Sequence, residues 1–346
     1  MRSHVRHKGD VLKARAPTPA AAQALASSED VAVTLTGAIL AVRAGEPVVA
    51  VVPAAWSGGD EFLPCGAFLP SAHGTLEGSV RSWVHAQTGV ELGFLEQLCT
   101  LGSRSQVEIA DLESHGSHFV SVSYLALVGP HQCSDKTHAT WRSWYSFFPW
   151  EDWRNGRPEC LDAIAPRLEA WANEPGSECA TRWMPDRRQR VRIAFGGTGA
   201  AWDEEKVAER CEVLRDAGII GTPSEDDSNL AQRLPRLSHP MLGDQLLVLA
   251  RAIGEVRRAI KCRPIVFELM HDEFTLFELQ KAVEAILGPH LHKQNFRRLV
   301  EGCGLVEPTG GLRLRTGGRP AQLYRFRRDV IYEHAAPGVR LKPGRM

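Results

Sequence analysis

Four side chains near the C-terminal end, Gln294, Asn295, Arg297 and Arg298, have the types and spacing of a nucleic-acid reader. Asn and Gln pair bidentately with adenine, and Arg with guanine. Lys293, or either arginine, is equally suited to phosphate, which fixes position without reading sequence. All lie in "KQNFRRLVEGCG". At helical spacing, Phe296, Leu299, Val300 and Cys303 share one face. Gln294, Arg298 and Glu301 point the opposite way, with Lys293, Asn295 and Arg297 on the flanks. Gly304 ends the helix. A merely solvated face has the same pattern, so neighbouring elements must decide.

Upstream, "FTLFELQKAVEAIL" opens with a strong helix start. Thr275 is the predicted N-cap, Glu278 closes a capping box, and Phe274 and Leu279 occupy the staple positions. The turn "GPHLH" joins the two helices, and His292, just before the second, suits a phosphate contact or is simply a turn residue. Two strand-like pieces follow, "GLVEPTG" and "QLYRFRR", around the basic loop "RLRTGGRPA". Gly317 and Gly318 permit a tight tip, and Arg319 there suits a minor groove or a phosphate. Helix, turn, helix and basic hairpin is the layout of a winged helix-turn-helix. Between His290 and Arg328, Lys293, Arg297, Arg298, Arg313, Arg315, Arg319, Arg325, Arg327 and Arg328 face only Glu301 and Glu307. The expected partner is double-stranded operator DNA. Its candidate contacts are Thr275, His292, Lys293, Gln294, Asn295, Arg297, Arg298, Arg315 and Arg319.

A second stretch, "RSWVHAQTGV" (Arg81–Val90), has the outline of a catalytic helix without its acids. Mg²⁺-dependent Nudix hydrolases carry on such a helix Arg-Glu, an apolar residue, any residue, then Glu-Glu and a closing Gly. Several carboxylates on one turn hold the hard cation. Here the stretch supplies Ser82, Trp83, Val84, His85, Ala86, Gln87 and Gly89, so the metal positions read Trp83, Ala86 and Gln87. Glu77 and Glu91 lie off those positions. The sequence therefore predicts no catalytic residue, no metal ligand and no enzyme here, but a scaffold whose groove can hold a nucleotide. Arg81 faces either a diphosphate or solvent.

The remaining chain frames these two stretches. At roughly 100–200 residues per domain, 346 residues make about two domains. Net charge is zero, so no global field favours nucleic acid or membrane. Eight cysteines form no C-x-x-C pair, which argues against structural zinc. The absence of a secretory signal or long apolar run predicts a reduced, cytoplasmic protein. The basic, Ala/Pro-rich residues 1–29 read as a disordered tail, with a transit peptide or a DNA-touching arm as alternatives.

"VAVTLTGAILAV" and "PVVAVVP", joined by "RAGE", predict a hairpin, and His118–Val128 a further strand. With the Arg81–Val90 helix laid on them, the first part is α+β. Trp141, Trp144, Trp150 and Trp153 can stack an adenine ring or pack an extra layer on the sheet. Gly196, Gly197 and Gly199 before a helix invite a phosphate-loop reading, although they match neither common fingerprint. That helix is expected to start at Asp203 and stop at Gly218, with Glu204 and Glu205 in its first turn. "SEDDSNLAQRLPRLSHP" reads as a linker. Leu242, Leu246, Leu249, Ile253, Val256 and Ile260 form a heptad stripe on a Met241–Lys261 helix, either a packed interdomain helix or a dimer contact.

The two halves together resemble Nudix-related transcriptional regulators of NAD metabolism, of the NrtR type and, more closely, the NadQ type. "FTLFELQKAVEAILGPHLHKQNFRRLVEGCGLVEPTG" and "GGRPAQLYRF" carry the likeness in the DNA-binding part. "LEQLCTLG" and "VSVSYLALV" carry it in the Nudix-like part, and "WYSFFPWEDWR" and "RIAFGGTGAAWDEE" resemble the longer NadQ branch. The resemblance implies an N-terminal Nudix-like α/β/α sandwich followed by a C-terminal winged helix-turn-helix. The expected divisions are a tail (1–29), a sensor domain (30–160), a family-specific extension and linker (161–237), and a linker helix with the winged helix (238–346). It also implies a dimeric repressor of NAD biosynthesis genes, without cofactor, whose effector is ATP, NAD or ADP-ribose. Arg81, Trp150 and Trp153 are the candidate effector contacts. The competing reading is a Nudix hydrolase acting on a nucleoside diphosphate derivative. "PSAHGTLEGS" departs from the family's usual loop, so the family's ligand contacts do not carry over residue by residue.

Overall fold

The computed structural model describes residues 31–53, 61–103, 118–133, 139–174, 185–197, 201–221, 237–241, 243–314 and 320–329. The tail 1–29, Gly199, Leu242, Arg315, Gly317, Gly318 and Arg319 lie outside them, as does most of the linker.

The predicted hairpin forms. β1 (Val31–Arg43) and β2 (Glu46–Pro53) pair antiparallel, Arg43 opposite Glu46. Between them Ala44 and Gly45 both take positive φ, 52° and 81°, the backbone that matches the twist of a two-residue hairpin. β3 (Glu61–Phe62) pairs with β2, and β4 (Cys65–Ala67) with the first half of β1. After a short α1 (Pro70–His73) comes α2 (Leu76–Thr88), the helix of the missing acids. β5 (Phe94–Ser103), β6 (His118–Leu127) and β7 (Thr140–Ser143) complete a mixed sheet. Its central path runs β3-β2-β1-β6-β5, with β1 and β6 parallel.

Strand alternation builds two cores. Leu35, Ile39, Ala41, Val48, Ala50, Val122, Tyr124 and Ala126 face α2, meeting Val80 and Val84. Ala38, Leu40, Val42, Val49, Val51, Leu125 and Leu127 face the other way, into a larger core that continues to the end of the chain. That second face receives α3 (Trp144–Phe147), the short 3₁₀ turn Pro149–Glu151, α4 (Cys160–Ala172), α5 (Arg187–Phe195) and α6 (Val207–Asp216). α7 (Gln245–Ala259) follows, shorter than the expected Met241–Lys261. Of the stripe, Leu249, Ile253, Val256 and Ile260 are buried and Leu246 half-buried, so it packs within one chain; Arg257 beside it is buried too. Gly254 lets α7 approach closely: a Cβ there would stand 2.6 Å from the Glu205 carbonyl oxygen.

α6 begins later than expected. Asp203 caps a turn by accepting from the Glu205 N–H (3.0 Å), and Glu204 and Glu205 clamp Lys261 instead of opening the helix. Gly218, at φ 67°, follows the helix as expected. Gly196 ends α5 and, among the described residues, no helix starts between it and Val207, so the phosphate-loop reading of Gly196 and Gly197 is set aside.

The C-terminal domain follows its local signals. A 3₁₀ turn (Ile265–Leu269) leads to α8 (Leu276–Leu287), a turn, α9 (Lys293–Gly302), and the hairpin β8 (Val306–Arg313) and β9 (Ala321–Phe326). The molecule is a mixed sheet with helices on both faces, followed by a two-helix unit with a two-stranded hairpin.

Candidate functional site

The reader is built on α8. Both halves of its capping box are present: Thr275 Oγ1 accepts from the Glu278 N–H and Glu278 Oε2 from the Thr275 N–H. Phe274 and Leu279 are both buried, as a staple requires. Thr275 is itself buried, and its hydroxyl accepts the helix-cap hydrogen bond at the floor of the cleft described below.

α9 buries Phe296 and Val300 and half-buries Leu299 and Cys303. His292, Lys293, Gln294, Asn295, Arg297 and Arg298 are all exposed. Arg297 pairs with Glu301 one turn on, at 3.1 Å. Lys293, Gln294, Asn295 and Arg298 make no side-chain hydrogen bond or ion pair with the described residues, which leaves their polar ends for a ligand. A cleft of about 650 Å³ runs from α9 to the wing, lined by Thr275, Phe277, Lys293, Arg297, Gln322 and Tyr324 among others. Charge excess here is smaller than the chain segment suggests. Arg313 pairs with Glu278 of α8 (2.6 Å) and Arg325 with Glu307 (2.6 Å). Arg315 and Arg319 fall outside the described residues.

Sequence reasoning missed the residue that aims α9. Glu284 of α8 is buried and accepts from Gln280 Nε2 (2.8 Å), Lys281 Nζ (2.8 Å) and the Leu291 N–H (3.0 Å), with His290 Nδ1 at 3.3 Å. One carboxylate thus fastens the turn that sets the start of the recognition helix. Burial pushes this carboxyl up, but the bonds from Lys281, Leu291, Gln280 and His290 outweigh burial and hold it below the usual range. A depressed carboxyl stabilises the fold above the unfolded value of about 4.3 and loses that contribution as pH falls through the folded value. Urea melts should therefore show stability falling on acidification below that point. Glu284→Gln should start less stable at neutral pH and lose less in acid; equal acid slopes would show that this carboxylate does not carry the effect.

In the sheet domain, α2 is capped by Thr75, whose Oγ1 accepts from the Gly78 N–H, and closed by left-handed Gly89. Where a metal helix has acids, this one has fasteners. Gln87 accepts from the Cys65 N–H (3.0 Å) and donates to the Cys65 carbonyl (2.8 Å). Trp83 donates its indole N–H to the Ala67 carbonyl (3.0 Å) and lies on Gly66, where a Cβ would come within 2.3 Å of the ring. Neutral groups that satisfy β4 stand at two of the three metal positions, and no group of acids, histidines and cysteines among the described residues suits a metal ion. Gln87→Glu would turn the donated bond into repulsion against the Cys65 carbonyl. A loss of about 1–3 kcal/mol is expected, read as a lowered Tm; an unchanged Tm would mean that the paired bonds do not hold β4.

The three effector candidates do not converge. Arg81 sits on α2, paired with Glu77 (2.7 Å) and donating to the Leu92 and Gly93 carbonyls, so it ties down the helix's own exit. Trp150 is fully buried in the core on the opposite face of the sheet. Trp153 packs against that same core, its ring 4.8 Å from that of Trp202. No single ligand in a groove on the α2 side meets all three. Trp144 and Trp150 lie in the larger core, the extra layer that the sequence left as one alternative; Trp141 packs on the α2 side.

The described structure thus defines a class, a winged helix joined to a Nudix-type sheet. Comparison with known proteins agrees. The family model described as the NrtR DNA-binding winged helix domain matches residues 266–326. The ADPR responsive transcriptional repressor NtrR of Acinetobacter baylyi is 40% identical over 79 residues, 23% of this chain. That match spans 31% of the relative's length. The crystal structure of Shewanella oneidensis NrtR with a 27mer DNA gives a TM-score of 0.50 at 19% identity, covering 87% of this chain and 95% of that one. A second crystal structure of the Shewanella protein gives the same score over 86% and 95%. The chain therefore has the architecture of NrtR, and its winged helix matches that family in sequence.

Proposed function

We infer that the protein is a transcriptional repressor of NAD biosynthesis genes. It binds operator DNA as a homodimer through its winged helices and senses an adenine nucleotide in a Nudix-like domain that does not catalyse. The observation that carries the reading is the α9 face. Its exposed Lys293, Gln294, Asn295, Arg297 and Arg298 belong to a winged helix that matches the NrtR DNA-binding family. The name of the Acinetobacter relative puts ADP-ribose first among effectors, ahead of NAD and ATP. The fasteners on α2 support sensing without hydrolysis. In a two-fold dimer the recognition helices would meet successive major grooves about 34 Å apart.

Selection from a randomised duplex library tests the DNA half. A palindromic site bound at about 10⁻⁸–10⁻¹¹ M, roughly 10³-fold or more tighter than random duplex, is expected. No enrichment would overturn it. Adding ADP-ribose, NAD or ATP to the selected complex tests the sensing half. With Mg²⁺ and ADP-ribose, turnover above about 1 s⁻¹ would replace the repressor reading with that of a hydrolase.

A further inference from the structure

The last four carbonyls of a helix have no partner inside it. In α8, two of them are taken by groups from outside the winged helix. Ala285 O accepts from Tyr145 Oη (2.9 Å) and Ile286 O from Arg257 Nε (2.9 Å). Tyr145 lies two residues after β7, and Arg257 is on α7. The same end of α8 is packed by Trp153: a Cβ on Gly288 would touch the Trp153 Cβ at 3.4 Å.

These contacts continue in both directions. Toward the sheet, the Arg154 guanidinium sits 4.5 Å over the Tyr145 ring and pairs with Glu46, the first residue of β2. Ser143 Oγ, on β7, donates to the same Glu46 (2.5 Å). Toward DNA, Glu284 adjoins Ala285 and holds the Leu291 N–H, one residue before the start of the reader's exposed face. Glu46 at the start of β2, Arg154, Tyr145, the end of α8, Glu284 and the turn before α9 form one unbroken line of contacts.

The geometry points to Tyr145 and Arg257 as positioning residues that transmit nucleotide occupancy in the sheet domain to the DNA-reading helices by gripping the C-terminal carbonyls of α8. This rests on the repressor reading above. It places the joint in the aromatic segment after β7 as well as on α7. A helix end held by another domain's donors shifts when that domain shifts, and α9 follows through the turn that Glu284 fixes. Contiguity alone does not establish coupling, so the measurement must be of coupling itself.

The test uses the full chain, the selected duplex and the nucleotide found to shift its affinity, ADP-ribose first. In the wild type that shift should lie at about 5–150-fold. In Tyr145→Phe the factor should fall toward one. Affinity for DNA without nucleotide, and for nucleotide without DNA, should stay close to wild type. A purely structural hydrogen bond would lower Tm and leave the factor intact, and that result overturns the inference. Should Tyr145→Phe not fold, amide hydrogen exchange on the wild type decides. ADP-ribose is expected to alter exchange across residues 285–292, and an unchanged pattern there overturns the inference. A wild type that binds DNA but ignores every nucleotide strikes the sensing reading, and the inference falls with it. A response that survives in Tyr145→Phe strikes the inference alone.

Discussion

Arg298→Ala and Asn295→Ala should each weaken binding to the selected duplex while leaving the fold intact. Both side chains are exposed on α9 and bond to no described residue, so truncation costs the folded chain nothing that the structure shows. Each lost bidentate base contact is worth about 1–3 kcal/mol, roughly 5- to 150-fold in affinity. The double variant should approach the product of the two losses if the contacts are independent. Binding to random duplex should change far less for Asn295→Ala, which removes no charge. Anisotropy titrations on the selected and random duplexes measure both numbers. Wild-type affinity in both single variants would mean that α9 does not face the bases. A loss equal on every duplex would assign Arg298 to phosphate instead.

That expectation was legible because α8, α9 and the hairpin are short-range objects. Thr275 and Glu278 cap within one turn, Phe296 and Val300 repeat at helical spacing, and Ala44-Gly45 sits between two runs rich in valine. Errors arose where a residue's partner is remote. Asp203 looked like a helix N-cap, yet Glu204 and Glu205 are drawn to Lys261, far along the chain, and α6 starts after them. Trp150 looked available for a ring because aromatic density fits stacking and packing alike. Only its place on the face of the sheet away from α2 decides between them. α4 carries an internal proline, Pro166, which masks the helical spacing of Leu161, Ile164, Leu168 and Trp171, and four of the nine residues of α5 are arginine, so neither was read from the sequence. The candidate sensor site was the least legible part. Trp83 and Gln87 show only that acids are missing; that they fasten β4 follows from Gly66 and Cys65 lying beneath them.

The largest effect on stability is expected from Glu151→Ala. This carboxylate is buried between two equally buried guanidiniums. Oε1 accepts from Arg210 Nε (2.5 Å), and Oε2 from Arg210 Nη2 (2.9 Å) and Arg257 Nη1 (2.7 Å). Two cations against one anion would be untenable without further acceptors. The surplus is met by carbonyls. Arg210 donates to Ala194 O and Asp203 O, and Arg257 to Ile286 O and Glu204 O. Ala194 and Ile286 lie in the last turns of α5 and α8, where the helix dipole is negative. Glu151 therefore joins the 3₁₀ turn after β7 to α6 and α7, and through Arg257 to the end of α8, at one point. Removing it leaves two unneutralised buried charges, and breaking such a cluster costs about 3–5 kcal/mol. At about 2–4 °C per kcal/mol for a sizeable domain, a drop of roughly 6–20 °C in Tm should follow. Glu151→Gln should lose less, because one oxygen still accepts. Replacing Glu151, Arg210 and Arg257 together with apolar residues of similar volume should recover part of the loss, since no charge then remains to desolvate. A Glu151→Ala protein that melts like the wild type would show that the helix-end carbonyls alone neutralise both arginines.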